Sequence, residues 1–202
     1  MSLPSRSIYL DYNASTPIDP RVAAVMRPLL DGPFANPSAS HPDGRLARSI
    51  LERARAQIAD LLGCGSDEIV FTSGGSEADN LALKGVFFAL RERGDHIITS
   101  AVEHPAILEP LRFLARLGAR VSVVPVDGTG SVDPDDVAQA ITPRTILVSV
   151  MHANNEVGTI ERVAEVAAIA HERGVLVHTD AAQSVGKIPT RAPESGSASA
   201  RG

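Results

Sequence analysis

The feature that most constrains this chain is an alternation of short β-rich runs with longer helical ones. Five runs have strand composition: 68–72 (EIVFT), 96–99 (HIIT), 120–125 (RVSVVP), 145–150 (TILVSV) and 175–179 (VLVHT). Between them lie stretches whose apolar residues recur three and four apart, the period of a helix with one buried face. Leu46, Ile50, Ala54, Ile58 and Leu61 line a first long helix. Leu81, Val86, Phe87 and Leu90 suit a second that starts near Ser76. Ile107, Leu111, Leu114 and Leu117 suit a third, and Val163, Val166 and Ile169 a fourth. Such alternation predicts a mostly parallel sheet covered by helices, a three-layer α/β fold. Asp19-Pro20 and Asp133-Pro134 each read as a helix cap followed by proline in the first turn. Gly94, Gly118 and Gly174 stand after helical runs, where a left-handed residue is wanted.

Composition narrows the function classes. The 202 residues are 44% hydrophobic and 21% charged, ordinary for a globular domain and too apolar for disorder. A net charge of −5 argues against nucleic-acid binding, which favours a basic stripe. A single cysteine, Cys64, excludes an internal disulfide and any four-cysteine metal site, and no metal is expected. No apolar run approaches the ~18 residues of a membrane span. Residues 1–10 lack the apolar core of a secretory signal, so a cytoplasmic protein is expected. Residues 31–44 (DGPFANPSASHPDG) read as an ordered loop closing an N-terminal arm over 1–45. The domain is expected to end near 189. The tail 190–202 contains no Leu, Ile, Val, Phe or Tyr and is expected to fray.

Ligands of an open parallel sheet bind beyond the carboxyl ends of its strands. There the chain carries Ser73-Gly74-Gly75-Ser76, then Glu103-His104-Pro105, then His152-Ala153-Asn154-Asn155, then Asp180-Ala181-Ala182-Gln183. Each has a bland reading: Ser76 as a helix cap, His104 as a loop residue, Asn154 and Asn155 as turn formers, Asp180 as a cap on the next turn. Together they offer a phosphate seat at Gly75 and Ser76, an imidazole at His104, amide donors at Asn155 and Gln183, and a carboxylate at Asp180. Pyridoxal phosphate fits all four, the carboxylate keeping its ring nitrogen protonated and the imidazole able to stack on the ring face. The rival signatures fail. The run 181–187 ends in Gly-Lys but lacks the first glycine and the Ser or Thr of a P-loop, and no G-x-G-x-x-G follows a strand.

Six strings in order, YLDYNASTPIDPRV, NPSASHPDGR, EIVFTSGGSEADNLALKG, HIITSAVEHPAIL, ILVSVMHANNEVGTI and VHTDAAQSVGK, resemble the cysteine desulfurases, the class-V aminotransferase branch of fold-type-I pyridoxal-phosphate enzymes. The resemblance runs from Tyr9 to Arg191, about nine-tenths of the chain. It implies part of a fold-type-I large domain. It also implies removal of sulfur from L-cysteine, giving alanine and a persulfide for iron–sulfur cluster assembly. Further, it implies a sulfur-acceptor protein as partner and a homodimer for the complete enzyme. By resemblance Gly75 and Ser76 hold the phosphate, and His104 stacks on the ring and assists proton transfer. Asn155 and Gln183 face the phenolic oxygen, Asp180 faces the ring nitrogen, and Asn155 also helps hold the substrate carboxylate.

The family's Schiff-base lysine, in a Ser-x-His-Lys segment, and its nucleophilic cysteine have no match here. The only lysines are Lys84 and Lys187, and Cys64 does not correspond. The substrate-carboxylate arginine and the C-terminal small domain are likewise unmatched. The sequence therefore predicts a chain inactive alone, aggregation-prone, and the product of a frameshifted or prematurely stopped gene. The competing readings are a selenocysteine lyase or another class-V aminotransferase, and a fragment that binds cofactor or a partner without catalysis.

Overall fold

In a computed structural model, residues 8–32 and 34–190 are described. They divide into two compact units, one taking in the described residues up to 70 and the other Phe71–Pro189. The polar stretch expected to fray falls, beyond Thr190, outside the described residues.

The first unit holds α1 (Pro20–Asp31), α2 (Pro42–Leu62) and a 3₁₀ turn (Ser66–Glu68). Asp19 caps α1 as expected, its carboxylate accepting from the Arg21 N–H at 2.7 Å. Helix α2 begins inside the stretch read as a loop. His41 accepts the Gly44 N–H and Pro42 takes the first turn, where its missing N–H costs nothing. Gly63 ends α2 in the left-handed conformation. The strand expected over 68–72 does not form. Its first residue closes the 3₁₀ turn, with the Glu68 carboxylate accepting from the Gly65 N–H at 2.6 Å, and the Ile69 carbonyl is taken by the Arg55 guanidinium. A β-rich run becomes a strand only when its backbone groups meet a ladder, and here the 3₁₀ turn and Arg55 engage the backbone of Glu68 and Ile69 instead.

The second unit is a three-layer sandwich. Its elements are α3 (Gly75–Leu90), β1 (His96–Ser100), α4 (Pro105–Arg116), β2 (Arg120–Val124), α5 (Pro134–Ala140), β3 (Thr145–Ser149), α6 (Val163–Glu172) and β4 (Leu176–His178). The four strands form one sheet in the order β2-β1-β3-β4, every pairing parallel. Successive side chains of a strand face opposite layers, and the core follows that rule. Ile97 and Leu147 pack with Leu83 and Phe87 of α3 and with Ile107, Leu111 and Leu114 of α4. Ile98 and Val148 pack on the other face with Val137 of α5 and with Val166 and Ala170 of α6.

Three helix faces differ in detail from the sequence reading. On α2 Leu46, Ile58 and Leu61 are exposed, and the buried residues are Gly44 and Ala59. On α3 the buried residues are Asp79, Leu83 and Phe87, while Leu81 is exposed. Leu117 falls beyond α4 and is exposed as well. Gly118 and Gly174 adopt positive φ after their helices as expected. Gly94 does not. It is required for another reason: a Cβ there would lie 2.2 Å from the Arg144 carbonyl oxygen, at the start of the neighbouring strand.

Strand order reverses between β1 and β3. From β1 the chain moves outward through α4 to β2; it then returns through α5 to β3 and moves the other way through α6 to β4. Crossovers of one hand running in opposite directions place their helices on opposite faces. The core clusters show that division, with α4 on one face and α5 and α6 on the other. At such a reversal the loops leaving the two strands diverge and a crevice opens at their carboxyl ends.

Candidate functional site

The loops leaving β1 and β3 meet at this switch point. Asn154 is buried and donates from Nδ2 to the Val102 carbonyl at 3.0 Å, and its Oδ1 accepts the N–H groups of Glu156 (2.8 Å) and Val157 (3.0 Å). It thus builds the turn that carries Asn155 and ties it to the loop ahead of His104. Sequence reasoning saw a turn former and missed the tie, which depends on two loops about 50 residues apart. Asn155 itself donates to the Glu156 carboxylate at 2.9 Å.

His104 is the cap of α4. Its Nδ1 accepts the Ala106 N–H at 3.1 Å, so the neutral ring carries its proton on Nε2. The cap fixes the ring through one nitrogen and leaves the other as a donor.

β4 delivers the carboxylate. The Asp180 backbone carbonyl accepts the His152 N–H at 2.9 Å, which extends the β3–β4 pairing past the strand ends. The Asp180 Oδ1 accepts the Ala182 N–H at 2.9 Å, which holds the carboxylate in a short turn. Gln183 lies in the turn that follows, its Oε1 accepting from the Lys187 ammonium at 3.0 Å. Just before Asp180, the Thr179 hydroxyl is buried with no hydrogen-bond partner among the described residues.

The start of α3 reaches the same edge through Asp79, whose carboxylate lies 3.5 Å from His178 Nε2 at the end of β4. The His178 Nδ1 in turn meets the Ser149 hydroxyl at 3.0 Å. Gly74 precedes α3 and no side chain caps the helix. A Cβ added at Gly74 or Gly75 would meet nothing within 4 Å, so the space ahead of the helix start is open. That suits an anion held by helix N–H groups, with Ser76 in the first turn. One neighbour competes. The Glu77 carboxylate accepts the Ser73 N–H at 2.6 Å, and hydrogen bonding from Ser73 holds its pKa below the ordinary value.

The structure therefore brings the helix start with Gly75 and Ser76, His104, Asn155, Asp180 and Gln183 to the carboxyl edge of one sheet. An open glycine cradle and an orphaned buried hydroxyl fit a phosphorylated, ring-bearing cofactor. Neither lysine stands as an obvious anchor. The Lys84 ammonium lies 4.8 Å from the centre of the Phe113 ring, and Lys187 is taken by Gln183. Among the described residues no group of three or more His, Cys, Asp or Glu side chains could hold a metal ion.

Residues 8–198 match the family model for class-V aminotransferases. The chain belongs to the class-V aminotransferase family. Among its relatives, cysteine desulfurase IscS of Dictyoglomus turgidum is 52% identical over 191 residues, covering 95% of this chain and 48% of the relative. IscS of Methanosarcina thermophila is 43% identical, covering 94% of this chain and 47% of the relative. Among solved structures, a NifS-like protein superposes with a TM-score of 0.88 at 40% identity, covering 91% of this chain and 51% of that one. SspA in complex with cysteine also gives 0.88 at 40% identity, covering 92% and 53%. This class-V aminotransferase chain spans about half the length of the curated relatives it matches. Among its described residues no helix is long and apolar enough to cross a membrane.

Proposed function

We propose that this chain is the cofactor-binding half of a cysteine desulfurase, that it seats pyridoxal phosphate, and that these 202 residues alone do not turn cysteine over. The observation that carries the reading is the convergence of an open helix start, a capped imidazole and a turn-held carboxylate on one switch-point edge. Gly75 and Ser76 would receive the phosphate, and Asp180 the ring nitrogen. Asn155 and Gln183 would approach the phenolic oxygen, after exchanging their present contacts with Glu156 and Lys187. Asn155 also suits a substrate carboxylate. His104 would lie on the ring face, its Nδ1 fixed by Ala106 and its Nε2 holding the proton it can pass on. Bound there, the cofactor supplies an electron sink for bonds at the substrate α-carbon.

What the chain lacks is a lysine placed to hold the cofactor covalently and a thiol placed to accept sulfur. Cys64, in the turn after α2, does not correspond to the family's nucleophilic cysteine. L-Cysteine as substrate, an acceptor protein for the sulfur, a homodimer and a cytoplasmic setting belong to the whole enzyme and are part of this proposal. The test is a binding titration with pyridoxal phosphate followed by alanine and sulfide assays with L-cysteine. Saturable binding that borohydride does not fix to protein, without turnover above free cofactor, is the expected result. Turnover that disappears in Lys187→Ala or Lys84→Ala would overturn the claim of inactivity, and the absence of saturable binding would overturn the seat.

A further inference from the structure

The switch point holds one buried group that the contacts above do not use. Glu103 is 6% exposed, on the residue before His104. Its Oε1 accepts from the Ser100 hydroxyl at 2.7 Å and from the Met151 N–H at 2.8 Å. Ser100 closes β1 and Met151 follows β3, the two strands between which the order reverses. Its Oε2 is buried with no hydrogen-bond partner among the described residues. A carboxylate stripped of water is costly unless both oxygens are satisfied, and here only one is.

We infer that Glu103 is a positioning residue, a proton-held clamp that fixes the loop carrying His104 against the loop carrying Asn155. As the neutral acid it keeps its proton on Oε2 while Oε1 accepts both bonds across the switch point. As the anion it leaves a bare charge in the interior, which is relieved when the loops part and water enters. Burial is the main force on its titration. The Ser100 and Met151 bonds oppose it, the Asp180 carboxylate adds to it and His178 subtracts, and the carboxyl is pushed up to about 7. The charged and titratable groups around it are accounted for. His178 is engaged by Ser149 and Asp79, and the Nδ1 of His152 on the β3 loop meets the Ser184 hydroxyl at 2.9 Å. Asp180 is thus the negative neighbour from β4.

The direction follows from linkage. A solvated glutamate in the opened loops titrates at 4.5 and the closed clamp at about 7. The clamp is therefore firm below pH 4.5 and loosens as pH rises through 7. Only the catalytic meaning of the clamp, alignment of His104 with Asn155, rests on the proposed cofactor reading. The test uses the free chain and so separates the two.

Amide hydrogen exchange, expressed as protection factors so that intrinsic rates cancel, reads the opening directly. Between about pH 5 and about pH 7.5, protection of the Met151 amide is expected to fall at least about tenfold, while amides of Ile98 and Val148 in the strands hold. Glu103→Gln, which mimics the neutral acid, should keep high protection at both pH values. Glu103→Ala should be low at both. If Glu103→Ala does not fold, the glutamine variant alone decides. Protection in the parent chain that does not change with pH overturns the clamp. So does a glutamine variant that titrates like the parent.

Discussion

Asn154→Ala tests the claim that one buried amide builds the candidate site. The side chain is 7% exposed and makes three hydrogen bonds to backbone, to Val102, Glu156 and Val157. A neutral hydrogen bond contributes about 1 kcal/mol net, and more when a buried partner is stranded. The Glu156 and Val157 residues are exposed, so their freed N–H groups regain water. The Val102 carbonyl, on a half-buried residue, regains less. The sum is a loss of roughly 2–3 kcal/mol. In a domain of this size that lowers Tm by roughly 5–15 °C. The chain has no tryptophan, so circular dichroism during urea or thermal unfolding is the appropriate readout. Asn154→Asp separates the two roles. It keeps the acceptor for the turn but sets a buried carboxylate oxygen against the Val102 carbonyl, so near neutral pH it should cost at least as much as the alanine variant and should recover in acid, where the protonated oxygen can donate. A loss below about 0.5 kcal/mol in Asn154→Ala, the size of an ordinary surface change, would refute the reasoning.

The other predictions use the same physics. Because the Glu103 carboxyl is raised from 4.5 to about 7, its contribution to stability is full below pH 4.5 and is lost as pH rises through 7. The loss is roughly 3 kcal/mol at about 1.4 kcal/mol per pH unit. Urea midpoints taken from pH 4.5 to 7.5 should flatten in Glu103→Gln, leaving the residual slopes of Glu161, which burial also raises, and of His96, which burial lowers and which therefore acts in the opposite direction. An unchanged slope contradicts the assignment. Asp180→Ala should weaken pyridoxal phosphate binding by roughly tenfold to a hundredfold, since a charge-assisted hydrogen bond is worth about 1.5–3 kcal/mol; equal affinities in a titration dismiss the ring-nitrogen role. Gly94→Ala should cost about 1–3 kcal/mol because its methyl meets the Arg144 carbonyl. Gly128→Ala, whose Cβ meets nothing within 4 Å, should stay within about 0.5 kcal/mol, and equal melting of the two denies the clash.

Much of this protein is written locally, and local features are what a sequence carries. The strand runs at 96, 120, 145 and 175 need only β-branched and apolar residues to declare themselves, and all four formed within a residue or two of the expected bounds. Asp19 and Asp133 cap the helices that follow them because a cap acts over two residues. The candidate residues His104, Asn155 and Asp180 stand out because strand ends of a parallel sheet share one edge whatever the order of the strands; the strand expected ahead of Ser76 does not form, and Ser76 reaches that edge instead in the first turn of α3. The order itself is not local. Nothing near Glu103 says that β3, rather than β2, continues the sheet on that side and offers the Met151 N–H to its carboxylate. The same holds for Asn154 and the Val102 carbonyl, 52 residues away. The run at 68–72 fails in the opposite direction, since its composition suits a strand while the Glu68 carboxylate and the Arg55 guanidinium engage its neighbourhood locally. Burial, and with it the raised titration of Glu103, exists only once distant segments have displaced water from a side chain. That is why tertiary structure alone decided which carboxyl holds a proton.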